Sequence, residues 1–140
     1  MDRLYQSGRS RSQYHGHRKF APIAADDIAA VAVKALTTDL SEEVLELTGG
    51  ELITVPEQVR ILADVLGKPL RCIDVPTETA VQNFIRAGVP AHIAAAVGES
   101  FETIRNGRFV VVRDTVARVT GNPPVTFEVW ARKHASRFAS

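Results

Sequence analysis

Histidine, cysteine and glycine-rich turns are the groups through which a small protein most readily does chemistry, and this chain offers few of them. His15 and His17 stand two apart, so on an extended backbone their imidazoles would face one ion. No nearby carboxylate or thiolate completes a tetrahedral set, and the pair reads as part of a solvated tail, with no metal expected. Cys72 is the only cysteine, which excludes an intramolecular disulfide and a Cys-based zinc site. It lies in the predicted strand Leu70–Val75, where a buried thiol serves as a small apolar side chain. His92, two residues after Pro90, is the candidate catalytic group. In the first turn of a helix it would act as a general acid or base, or donate a hydrogen bond to a ligand. Phe84 and Phe101, with Ile104, are candidates for an apolar pocket beside it, although the same spacing suits a plain core. Asp26, Asp27 and Asp74 suit helix caps or strand ends, and Glu99 and Glu102 a solvated helix face.

Nucleotide chemistry fails on spacing. A dinucleotide turn needs Gly-x-Gly-x-x-Gly between a strand and a helix, so that free amides hold the pyrophosphate. Gly49-Gly50 lacks the third glycine and precedes another extended stretch, which makes it a turn. Gly67-Lys68 is followed by Pro69 and comes after a helix, the reverse of a phosphate-binding loop. A Tyr-x-x-x-Lys pair, in which lysine lowers the tyrosine pKa, is also missing. Tyr14 is followed four residues later by Arg18 and five later by Lys19.

The elements that would position these groups alternate between helical and extended signals. Asp26 or Asp27 would cap a helix continuing through Ile28–Leu36, which is apolar on almost every side and needs cover beyond its own chain. Val44–Leu47 reads as a strand ending at Gly49-Gly50. Thr54-Val-Pro-Glu57 has the residues of a capping box with proline in the first turn, and the helix it opens stops at Gly67. With Leu70–Val75 as a second strand, this makes a βαβ unit with parallel strands. Thr77 caps a helix to Ala87. Pro90 starts another through Val97, which Gly98 interrupts before Glu99–Arg105. Phe109–Arg113 is a short extended run, Asp114 caps a brief helix, and Gly121-Asn-Pro-Pro124 is a firm break. Thr126 caps the last helix, Phe127–Phe138, which carries Trp130, the only tryptophan.

Composition sets the frame. The 140 residues are 45% hydrophobic and 24% charged, which suits one globular domain and leaves no room for a dinucleotide-binding domain beside a substrate domain. Charge is nearly balanced, at +1, so nucleic acid is not an expected partner. It is unevenly spread, because Arg3, Arg9, Arg11, Arg18 and Lys19 face only Asp2 in residues 1–19. The expected organisation is a basic flexible arm, 1–19, ahead of a single domain, 20–140. No membrane segment or secretory leader is expected, and the cytoplasm is the default location.

A longer pattern is more specific. Ala21-Pro-Ile-Ala-Ala-Asp-Asp-Ile-Ala-Ala-Val-Ala-Val-Lys-Ala-Leu36 is followed by Leu45-Glu-Leu-Thr-Gly-Gly-Glu-Leu-Ile-Thr54. Then come Val65-Leu-Gly-Lys-Pro69, Arg71-Cys-Ile-Asp-Val-Pro76 and Thr115-Val-Ala-Arg-Val-Thr-Gly-Asn-Pro-Pro-Val-Thr-Phe-Glu128. In this order they resemble the C-terminal half of NmrA-like atypical short-chain dehydrogenase/reductases, over about residues 17–138. The resemblance implies an α/β, mainly helical chain: a truncated Rossmann-type C-terminal lobe with a βαβ unit and a helical substrate lid. It places Pro22 and Ile23 near the nicotinamide side of the family's cleft and residues 77–106 in the lid. No residue matches the family's glycine motif.

The leading expectation is therefore a free-standing substrate lobe that binds a small apolar molecule without NAD(P), through Pro22, Ile23, Phe84, His92 and Phe101. Two alternatives stand beside it. One is a cofactor-independent acid/base enzyme of isomerase, cyclase or hydratase type, using His92. The other is the substrate half of a split oxidoreductase, with NAD(P) supplied by a separate Rossmann-half chain. The apolar helix Ile28–Leu36 is the expected contact for a homo-oligomer or for that second chain.

Overall fold

The computed structural model describes residues 18–40 and 43–138. The arm to residue 17, with Tyr14, His15 and His17, lies outside them. Six α-helices follow in order: α1 (Ala25–Thr37), α2 (Val55–Leu66), α3 (Thr77–Arg86), α4 (Ala91–Arg105), α5 (Thr115–Thr120) and α6 (Phe127–His134). A 3-10 turn, Ala135–Phe138, ends the described chain.

Helix α2 starts as its residues dictate. The Thr54 amide donates to Glu57 Oε2 at 2.6 Å, the Glu57 amide donates to Thr54 Oγ1 at 3.1 Å, and Pro56 sits in the first turn. The helix closes at Gly67, whose φ of 61° is left-handed and suits glycine. Thr126 likewise caps α6, its hydroxyl accepting from the Val129 amide at 3.2 Å.

Other starts differ from expectation. Helix α1 begins at Ala25 after Ala24, with no side-chain cap, and Asp26 and Asp27 turn to distant partners instead. Thr77 is the first residue of α3 rather than its cap, and its hydroxyl is hydrogen-bonded to Glu102 on α4. Asp114 precedes α5 without a side-chain cap bond.

Helix α4 runs unbroken through Gly98. The glycine is there for packing: a Cβ at this position would stand 2.6 Å from Val81 Cγ2 of α3. Three helix pairs make the body, α3 on α4, α1 on α5, and α2 on α6 and the 3-10 turn. Val31, Ile53, Leu62, Ala80, Phe84, Ala94, Val116, Ala131 and Phe138 are buried between them.

The βαβ expectation is not met. Among the described residues the only strand-like pairing is an antiparallel bridge between Phe20 and Ile53. Val44–Leu47 and Leu70–Val75 lie outside any helix, and neither forms a strand with the other among the described residues. A strand exists only through its ladder, and here neighbouring polar groups are engaged elsewhere. The Gly49 amide donates to the Ala21 carbonyl, Thr48 Oγ1 accepts from the Arg113 amide, and the Leu70 amide donates back to Lys68. The chain is mainly helical. No described helix is long and apolar enough to cross a membrane.

Candidate functional site

A concavity lies between the segment leading into α1 and the start of α6. Pro22, Ile23, Ala24 and Ala25 form one wall, and Val125, Thr126, Phe127 and Trp130 the other, around a cavity of about 360 Å³. That size suits a small organic molecule, and the lining is almost wholly apolar.

Both walls are held by short-range necessity and long-range bonds. Phe20 and Ile53 exchange backbone hydrogen bonds of 3.2 and 3.0 Å, and the Gly49 amide donates to the Ala21 carbonyl at 3.1 Å. Gly49 comes so close that a Cβ would fall 1.9 Å from the Pro22 carbonyl oxygen. Gly50 packs against the Pro124 ring, where a Cβ would sit 3.4 Å from Cγ. The buried Asp27 carboxylate accepts from the Val125 amide at 2.8 Å, tying the first helix to the mouth of the last. Glu51 Oε1 accepts from the Phe127 amide at 2.7 Å, so a carboxylate meets a free donor at the start of α6. On the rim, Lys133 Nζ lies 2.5 Å from Asp26 Oδ2, and this contact holds the Asp26 carboxyl below the usual aspartate range.

Trp130 is the centre of an aromatic column on α6. Its ring stacks on Phe127 at 5.5 Å, lies 4.9 Å from the His134 ring and meets Phe138 edge-on at 6.3 Å. His134 Nδ1 is 2.9 Å from the Trp130 carbonyl oxygen, which fixes the imidazole in the column. Two rings of this column, Phe127 and Trp130, line the cavity.

The sequence-derived site divides. Pro22 and Ile23 line this cavity. Phe84 and Phe101 pack on one another, 6.1 Å between centroids, in the α3–α4 pair. His92 is exposed in the first turn of α4. These last three line neither this cavity nor the wider groove of about 500 Å³ bounded by Thr77, Glu78, Val81, Ala95, Gly98, Glu99 and Glu102. What sequence reasoning missed is the far wall. The signal was there in Thr126 as a helix cap directly after Pro123-Pro124, which aims the first turn of α6, but nothing local says that Pro22 lies across from it.

The close approach that a glycine pair could give a pyrophosphate is used up by the chain itself, Gly49 against Pro22 and Gly50 against Pro124. No cluster of metal ligands occurs among the described residues. Cys72 is half-buried, and burial, with the charge of Asp74 next, pushes its thiol pKa up, away from nucleophilic use.

Comparison with known proteins places this geometry in context. No family model matches the chain. It is 33% identical over 139 residues to the NAD(P)H azoreductase of Xenophilus azovorans, an alignment covering 96% of this chain and 49% of that protein. It is 36% identical over 126 residues to the (4-alkanoyl-5-oxo-2,5-dihydrofuran-3-yl)methyl phosphate reductase of Streptomyces griseus subsp. griseus, covering 89% and 44%. The Citrobacter sp. triphenylmethane reductase, solved with NADP(H), superposes with a TM-score of 0.80 at 20% identity, over 95% of this chain and 46% of that one. An NADPH-dependent quinone oxidoreductase from Escherichia coli also gives 0.80 at 20% identity, over 88% and 45%. The chain thus spans about half the length of the curated relatives it matches, on their C-terminal side.

Proposed function

Because this chain is a homologue of NmrA-like NAD(P)-dependent reductases and corresponds to their C-terminal half, we propose that it is the acceptor-binding lobe of such a reductase. Its cavity between Pro22–Ala25 and Val125–Trp130 takes a small, flat, largely apolar molecule. The observation that carries this reading is the lining itself: two aromatic rings and an apolar wall locked in place by Asp27, Glu51 and Gly49. The names of three reductases it resembles specify azo, quinone and triphenylmethane compounds, while the Streptomyces relative is named for a phosphate ester. Aromatic faces favour offset or edge contact with conjugated rings, at about 0.5–1.5 kcal/mol per pair beyond area burial.

The lobe's own part is to bind and orient the acceptor and to exclude water from it. Ile28, Val33 and Leu36, at 44%, 58% and 86% exposure, leave the outer side of α1 apolar. We assign that side to the nucleotide-binding half of the reductase architecture, whether on the same or a separate polypeptide.

Titration of the intrinsic Trp130 emission with a naphthoquinone and with a neutral azobenzene tests the cavity. Saturable quenching is expected, with affinity falling about tenfold in Phe127→Ala, the cost of one aromatic contact and its buried area. Quenching that does not saturate, or that is indifferent to Phe127→Ala, overturns the assignment of this cavity.

A further inference from the structure

Trp130, the only tryptophan, both lines the cavity and stands between ring neighbours on its own helix. Phe127 lies on the preceding turn and His134 on the following one, inclined to the indole by 28° and 30°. At 4.9 Å the imidazole is the nearer of the two. His134 is half-buried, and its Nδ1 is 2.9 Å from the Trp130 carbonyl oxygen. A carbonyl only accepts, so Nδ1 carries the hydrogen and a second proton must add at Nε2. Three groups would meet the resulting cation. The first is the indole, the aromatic face to which cations are most attracted. The second is the carbonyl end of α6, since His134 is its last residue. The third is Asp26, whose carboxyl is held low chiefly by the Lys133 hydrogen bond and charge and also feels the charge of His134.

Resting on the reading of the cavity as the acceptor site, we propose that His134 is the positioning residue of its Trp130 wall, and that the charge on His134 sets how tightly an electron-poor ring is held there. Neutral, the imidazole braces the indole through the ring contact and the carbonyl bond. Charged, it draws indole π-density toward itself. Less then remains for a quinone-like ring, whose contact with an aromatic face depends on that density. Histidine is the residue type whose charge changes between pH 5 and 8. The other charged groups on and around α6 are of types that keep one sign across that range. Lys133 lies 2.5 Å from Asp26, Arg132 lies 2.6 Å from Glu128, and Arg137 stands in the 3-10 turn. On α2, which packs against α6, Glu57 is bound to Thr54, and Arg60 lies 3.4 Å from Asp64. Beyond the end of α2, Lys68 donates to the Phe138 carbonyl oxygen, and Glu51 accepts from the Phe127 amide at the far end of α6. Acceptor binding is therefore coupled to release of a proton from a residue outside the cavity lining.

Emission of the single tryptophan, titrated with the naphthoquinone on the full chain at about pH 8 and about pH 5, tests it. Half-saturation should need about threefold more quinone at the lower pH, the scale of one cation–π contact. His134→Gln and His134→Phe have no ring nitrogen to protonate. Both should bind equally at the two pH values, the phenylalanine keeping a stacked ring. Without ligand, wild-type emission should fall as pH is lowered, because an imidazolium in contact with indole quenches it, and should stay level in both variants. A brace without charge coupling would give all three chains the same pH profile, so a merely structural role is separated from the proposed one. An affinity independent of pH in the wild type, or falling equally in both variants, overturns the role of His134 and leaves the cavity assignment standing. Absence of saturation at either pH overturns both.

Discussion

Asp27 shows how much one side chain holds. It is 8% exposed, and its carboxylate receives the Val125 amide from 98 residues away. Asp27→Ala strands that amide beside the cavity, and thermal or urea unfolding should register a loss of about 1–3 kcal/mol. Asp27→Asn keeps an acceptor oxygen and should lose less. Glu57 makes a pH prediction. The Thr54 amide, and then the Thr54 hydroxyl, hold its carboxyl below the ordinary glutamate value of 4.5. A depressed folded-state pKa contributes stability above the unfolded value and loses it as pH falls through the folded one. Melting temperature should therefore drop below about pH 4.5, and Glu57→Gln should be less stable at neutral pH but flatter across that acid window. Cys72 has the opposite shift, so iodoacetamide should label it more slowly than a free thiol at neutral pH, catching up only in denaturant. Of these three groups, Glu57 was legible because a capping box is local, and Cys72 was legible as a small apolar side chain. Asp27 looked like a cap for its own helix, and nothing within several residues of it reveals Val125.

At the scale of elements, helices were readable and strands were not. Gly67, Pro56 and Thr126 mark ends by their own chemistry, and the structure uses each as written. Gly98 looked like a break because a glycine weakens an isolated helix. Contact with Val81 overrides that weakness. Val44–Leu47 and Leu70–Val75 have strand composition, but pairing is a property of two segments and cannot be read from one. The site divided for the same reason. Phe84 and Phe101 share helical spacing with a core and proved to face each other, whereas Pro22 and Ile23 came from family resemblance and do line the cavity. The element-level prediction concerns Gly49. In Gly49→Ala the methyl would meet the Pro22 carbonyl oxygen at 1.9 Å, which backbone cannot accommodate without moving. Destabilisation of about 1–3 kcal/mol is expected by denaturant titration. Displacement of Pro22 and Ile23 should also weaken naphthoquinone quenching. An alanine tolerated at full stability would mean that this wall yields.

For the molecule as a whole, the balance of its surface follows from its being comparable to half of a larger architecture. Side chains on α1, at Val44 and at Phe109–Val112 remain apolar and outward-facing, while both walls of the cavity come from described residues of this chain. The bonds that close it have a temporal consequence. Asp27 to Val125, Asp26 to Lys133, Glu51 to Phe127 and Lys68 to the Phe138 carbonyl all join early residues to the last helical stretch. Contacts so distant along the chain must await loop closure, which slows folding relative to a locally connected helical bundle. On the ribosome, α1 and α2 emerge long before α6 exists to receive them. The Pro22 wall then stands without its partner until α6 has been made. A nascent chain stalled before Phe127 should therefore leave the Pro22–Ala25 wall uncovered.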